Sequence, residues 1–170
     1  MKKFLLMAVL MLTAAFSLTS CGDDEPKDKT KVTATYTMSF SQDLLDAASV
    51  IIYYNAENGR TSFDAINSTW WSKTITSDKF PAEFGLMCNF GTKSESELSK
   101  DKYSLYCDFS FSGSTSKGAN YSNNKIVIID EKDVAKKKVV STLDKYNGKK
   151  EGFKVSENGI FTEADNLKFE

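Results

Sequence analysis

Val32, Ala34, Tyr36, Met38 and Phe40 alternate with Thr33, Thr35, Thr37, Ser39 and Ser41. An apolar residue at every second position predicts a β-strand with one buried and one wet face, and β-branched threonine suits the wet side. The alternation stops at Asp43-Leu44-Leu45-Asp46-Ala47-Ala48, which reads as a single helical turn capping the core. Ser49–Tyr54 then runs Val-Ile-Ile-Tyr-Tyr, apolar on both faces, the pattern of a central strand. Asn58-Gly59 follows, the pair favoured in type I′ hairpin turns because both residues tolerate positive φ, with Arg60–Ile66 as the return strand.

Thr69–Thr76 reads as a further strand, with Trp70 and Trp71 side by side. Neighbouring strand residues point to opposite faces, so both indoles cannot enter one core. Ile75 marks the Trp71 side as inward, against Lys73 on that same side, and leaves Trp70 outside. Trp70 then either packs beneath a loop or the C-terminal segment, or forms a stacking platform for a sugar ring or a partner's side chain. Tyr53 and Tyr54 are candidate stacking residues beside it.

Pro81–Phe90 directs Ala82, Phe84, Leu86, Cys88 and Phe90 to one face; Tyr103–Phe111 does the same with Tyr103, Leu105, Cys107, Phe109 and Phe111. An antiparallel hairpin that sets Cys88 opposite Cys107 also matches Phe90 with Leu105, Leu86 with Phe109 and Phe84 with Phe111. A disulfide there would contribute about 3 kcal/mol by restricting the unfolded chain. Two buried free thiols acting as small apolar residues are the alternative. Ser112–Asn124, rich in Ser, Gly and Asn, reads as a mobile loop, and Ile126–Ile129 as a buried strand. Acids from Asp130, then Ala135, Val139, Leu143 and Tyr146 at helical spacing, predict a helix stopping at Asn147-Gly148. Asn158-Gly159 marks a second hairpin between Phe153–Ser156 and Ile160–Thr162, and Asn166–Phe169 suggests one last short strand.

The chain contains no histidine. That removes Ser-His-Asp and Cys-His nucleophile pairs, histidine zinc sites and histidine acid–base chemistry. Catalysis would have to rest on carboxylates, lysine or tyrosine. Two carboxylates at a suitable separation could serve a glycosidase, but Asp64, Glu83 and Asp108 are scattered and solvated side chains are the simpler reading. No P-loop, GxGxxG or calcium-loop pattern occurs, so no metal and no cofactor are expected. Lys136-Lys137-Lys138 reads as a solvated surface.

Lys2 and Lys3 precede an apolar run from Phe4 to Phe16, broken only by Thr13. This is an export signal, shorter than the roughly 20 apolar residues of a spanning helix. Leu18-Thr19-Ser20-Cys21 resembles the lipobox of bacterial lipoproteins, which implies cleavage before Cys21 and its lipidation. Asp23-Asp24-Glu25 is similar to the surface-export signal of Bacteroidota lipoproteins. Together these resemblances imply an outer-membrane lipoprotein exposed on the cell surface and held to the membrane through Cys21. Each buried CH₂ contributes about 0.8 kcal/mol, so several acyl chains on one cysteine give a lasting anchor. Residues 1–20 are then the signal, 21–31 a charged tether spanning at most roughly 35 Å, and 32–170 one domain. Loss of residues 1–20 removes two lysines and no acid, leaving 20 basic against 23 acidic residues, a balance of −3. Nucleic acid is therefore not an expected partner.

The body also resembles a group of small Bacteroidota lipoproteins: a Thr-rich first strand, a Leu-Leu turn, a Tyr-Tyr strand before an Asn-Gly hairpin, and a Trp-containing strand before a Pro-led one. This implies a fold class and no activity. The expected architecture is mainly β, an antiparallel immunoglobulin- or fibronectin-like β-sandwich with one helix near the C-terminus; a lipocalin-like β-barrel is the alternative. The expected inward set is Val32, Tyr36, Met38, Phe40, Ile52, Phe84, Leu86, Phe109 and Phe111. Three functional expectations follow: a non-enzymatic module that binds or assembles with an unknown protein, an accessory glycan-binding lipoprotein, and, remotely, a carboxylate-based hydrolase.

Overall fold

The computed structural model describes residues 29–164 and 166–169. Cys21, Asp23, Asp24 and Glu25, with the export signal and most of the tether, lie outside the described residues. The strands are β1 (Val32–Phe40), β2 (Ala48–Asn55), β3 (Thr61–Ile66), β4 (Trp70–Ser77), β5 (Ala82–Thr92), β6 (Lys102–Thr115), β7 (Asn120–Ala135), β8 (Lys150–Val155) and β9 (Phe161–Glu163). Two short helices complete them, α1 (Gln42–Ala47) and α2 (Val139–Leu143).

The strands form two antiparallel sheets, ordered β4-β1-β6-β7 and β3-β2-β5-β8-β9. Each sheet keeps two open edges, so the molecule is a β-sandwich and not a closed barrel. Every residue of the expected inward set is buried between the sheets. Tyr36, Phe84, Phe109 and Phe153 are the bulkiest parts of that core, joined by Tyr103 at one end. Burying each such ring contributes roughly 1.5–3 kcal/mol. α1 bridges the two sheets between β1 and β2; Ser41 caps it by accepting the Leu44 N–H.

Five expectations are corrected. β5 and β6 do not form a hairpin: they lie in opposite sheets, with Cys88 beside Ile52 of β2 and Cys107 beside Phe40 of β1 and Ile129 of β7. Both cysteines are free buried thiols. A period of two says only that two strands share a core, and strands facing each other across a sandwich satisfy it as well as hairpin partners. The intervening segment makes the crossing through a 3₁₀ turn, Glu95–Glu97, with a Ser94–Glu97 capping box.

Secondly, residues 112–115 and 120–124 are strand, where a mobile loop was expected. β6 and β7 run on to a tight turn after Thr115, closed by the Ala119 carbonyl accepting the Thr115 N–H. Small residues serve that end of the sandwich, because a Cβ on Gly113 would come within 2.9 Å of the Phe161 ring. Thirdly, the long C-terminal helix shrinks to α2. Residues 130–135 stay in β7, where Val134 pairs with Tyr103 of β6 and is buried. Cross-strand pairing outweighs the local helical pattern there.

Fourthly, Asn166–Phe169 is not a strand: it crosses the outer face of the second sheet, and Leu167 fills the notch left by Gly85 and Gly152. Finally, Asn58-Gly59 belongs to a 3₁₀ turn, Glu57–Gly59, with positive φ at Gly59, rather than to a two-residue turn. The second hairpin does form, with Gly159 at positive φ.

Candidate ligand-binding face

Side chains that alternate with the core residues of β1, β4, β6 and β7 all emerge on the outer surface of the first sheet. The strand registers set them in rows. Thr76, Thr33, Ser114 and Asn120 form the first; Thr74, Thr35, Ser112 and Ser122 the second. Ser72, Thr37 and Ser110 make the third, and Trp70, Ser39, Asp108 and Val127 the fourth. Hydroxyls bond to one another across the strands: Thr33 to Thr76 at 3.1 Å, Thr35 to Thr74 at 3.0 Å and Thr37 to Ser110 at 2.6 Å. A depression of about 260 Å³ over the first two rows is lined by Thr33, Thr35, Ser112, Ser114, Asn120 and Tyr121.

Trp70 closes the fourth row at the β4 edge, 59% exposed. Its backbone is braced by Ser68, whose hydroxyl donates to the Trp70 carbonyl and accepts the Trp70 N–H. Toward the other end of that row the Tyr106 hydroxyl donates to Asp108, while Lys125 lies 4.0 Å from the same carboxylate and over the Tyr106 ring. Lys125 has positive φ in a stretch of β7 where the register shifts, so the bulge helps to aim its ammonium at this pair. The hydrogen bond to Asp108 raises the Tyr106 pKa, and the contact with Tyr106 raises that of Lys125. The cluster is thus charge-paired within itself.

Trp71 takes the opposite side. It stacks on Tyr36 at 6.4 Å and its indole N–H donates to Asp64 at 3.0 Å. Lys73 shares that side without entering the core, because β4 is an edge strand facing the seam between the sheets. There its ammonium donates to Asp64 at 3.4 Å and sits 5.3 Å from the centre of the Tyr54 ring. A cleft of about 480 Å³ opens beside this seam, bordered by Tyr54, Glu57, Arg60 and Lys73.

The candidate stacking residues therefore separate. Tyr54 is 2% exposed, too deeply buried to offer a ring face to a ligand. Tyr53 lies on the outer face of the second sheet, 6.0 Å from the exposed Phe63 ring. Trp70 alone belongs to the first sheet. Adjacent residues of β2 point to opposite sides, and β2 and β4 belong to different layers, so the three rings cannot share one site.

Among the scattered carboxylates, Asp64 serves the seam, Glu83 pairs with Lys154 at 2.7 Å, and Asp108 joins the Tyr106 cluster. The hydroxyl rows are the feature the sequence reading missed. Their signal was legible: Thr or Ser fills every outward position in Thr33–Ser39, Ser72–Thr76 and Ser110–Ser114. No protein-family model and no curated protein matches this chain.

Proposed function

We propose that this chain is a surface-anchored lipoprotein, lipidated at Cys21, that acts as a non-enzymatic binding or assembly module at the outer membrane. The lipobox and the Asp23-Asp24-Glu25 segment support the anchoring. The observation that supports binding is Trp70, a large aromatic ring exposed on a strand whose backbone Ser68 braces at that point. Nucleic acid is not a partner on this reading.

Cross-linking of intact cells followed by recovery of the chain tests the module. A partner retained by the native protein and lost from Trp70→Ala supports it; recovery of the monomer alone counts against it. Protease treatment of whole cells tests the outward orientation, since a surface module is cleaved and an inward-facing one is protected. Trp70 together with the neighbouring hydroxyl rows favours a second reading, an accessory glycan-binding lipoprotein in which the indole stacks on a sugar.

A further inference from the structure

We infer that the outer face of the β4-β1-β6-β7 sheet takes an uncharged polyhydroxylated chain, a neutral polysaccharide, lying along the strands from Trp70 toward the Thr33–Thr76 row. This rests on the binding-module reading and gives it a ligand class.

Charge carries the argument. The first three rows hold eleven side chains, every one a hydroxyl or an amide. Charged residues make up 26% of the chain, so about three would be expected on eleven outward positions. Apart from Asp108 and Lys125, which pair with each other at the β7 end of the fourth row, such a face offers no counter-charge to an ionic ligand, which would lose hydration without recompense. It also lacks the apolar centre of a protein interface, because Trp70 and Val127 are the large apolar side chains on its rows and both lie in the fourth.

What it does offer is two-way hydrogen bonding. A hydroxyl has one donor and two acceptor sites, so each bonded Thr–Thr or Thr–Ser pair retains one donor and three acceptors. A sugar hydroxyl both donates and accepts and therefore matches these pairs in either orientation. The negative face of the Trp70 ring complements the C–H face of a pyranose.

Length follows from the same geometry. Trp70 and Thr76 lie six residues apart on β4, roughly 20 Å at strand spacing. Contact with both ends requires an oligosaccharide, not a single sugar.

Affinity electrophoresis of the purified full chain tests this, using gels containing neutral polysaccharides (β-glucan, xylan, mannan, amylopectin) or acidic ones (polygalacturonate, alginate). The expected result is retardation in at least one neutral gel and in neither acidic gel. Trp70→Ala and Ser112→Lys should each weaken that retardation at least tenfold, with unchanged near-UV circular dichroism showing that both variants fold. The corresponding monosaccharide should not compete. Retardation by the acidic polymers, insensitivity to Ser112→Lys, or no retardation in any gel overturns the inference. If no glycan binds while a protein partner is still lost from Trp70→Ala on cells, the ligand class falls and the binding-module reading survives. Failure of both experiments removes both.

Discussion

Gly152 occupies a place where a side chain has no room. A Cβ there would collide with the Phe84 carbonyl oxygen and come within 2.6 Å of Leu167 Cδ1. The first obstacle is backbone of a core strand and cannot swing aside. Gly152→Ala should therefore destabilise the domain by about 1–3 kcal/mol, the usual cost of overpacking, measured as a lower urea midpoint. Cys88 and Cys107 make the second residue-scale case. The neighbouring Cys88 thiol, then burial, push the Cys107 thiol well above its ordinary pKa, and a thiol is far less reactive than a thiolate. Both should resist iodoacetamide in the folded protein and both should react after unreduced denaturation, read as two added carbamidomethyl groups by intact mass. Protection of both after denaturation would mean a disulfide instead.

At the scale of elements, α1 is too short to stand alone. It is tied down by Lys100, whose ammonium meets Asp43 at 2.6 Å and Asp46 at 2.9 Å, and by the Ser104 N–H, which donates to Asp43 at 2.7 Å. Lys100, then Ser104, hold the Asp43 pKa below the ordinary value; for Asp46 the Gln42 amide acts first and Lys100 second. A depressed carboxylate stabilises the fold above its unfolded pKa, about 3.9, and that contribution is lost as pH falls through the lower folded value. Lys100→Met returns both groups toward their ordinary range. Its acid-unfolding midpoint should move to higher pH, and its stability near neutrality should fall slightly, the difference from the native chain closing as pH drops through the two carboxylates' folded values. A midpoint unchanged between pH 2 and 4 would remove Lys100 from the account.

For the whole molecule, the residues ahead of β1 are tied to the turn between β6 and β7. Thr30 is buried, and Lys31 bonds through both its N–H and its carbonyl to Ser116. Removal of residues 29–31 should lower the melting temperature by a few degrees, because it strips a buried threonine and two hydrogen bonds from the turn between β6 and β7. Scanning calorimetry of chains beginning at Lys29 and at Val32 checks this.

Much of this was legible in local pattern. Period two in Val32–Phe40 announced β1 and its buried face, Ser49–Tyr54 read as a central strand, and the inward set was correct because burial follows alternation wherever one face must leave water. The outward position of Trp70 followed from the same rule. Which strands would be neighbours did not, since alternation is blind to whether a strand's partner lies beside it or across the core. That is why β5 and β6 looked like a hairpin and are opposite walls, and why Tyr53, Tyr54 and Trp70 looked like one site and occupy three environments. The strand continuing past Ile129 also depended on tertiary pairing, where β6 supplied partners that a helical pattern in isolation could not anticipate. The sequence by itself determined which residues face inward; only the packing of two sheets determined what they face, because alternation is a property of one chain segment and neighbourhood is a property of the assembled layers.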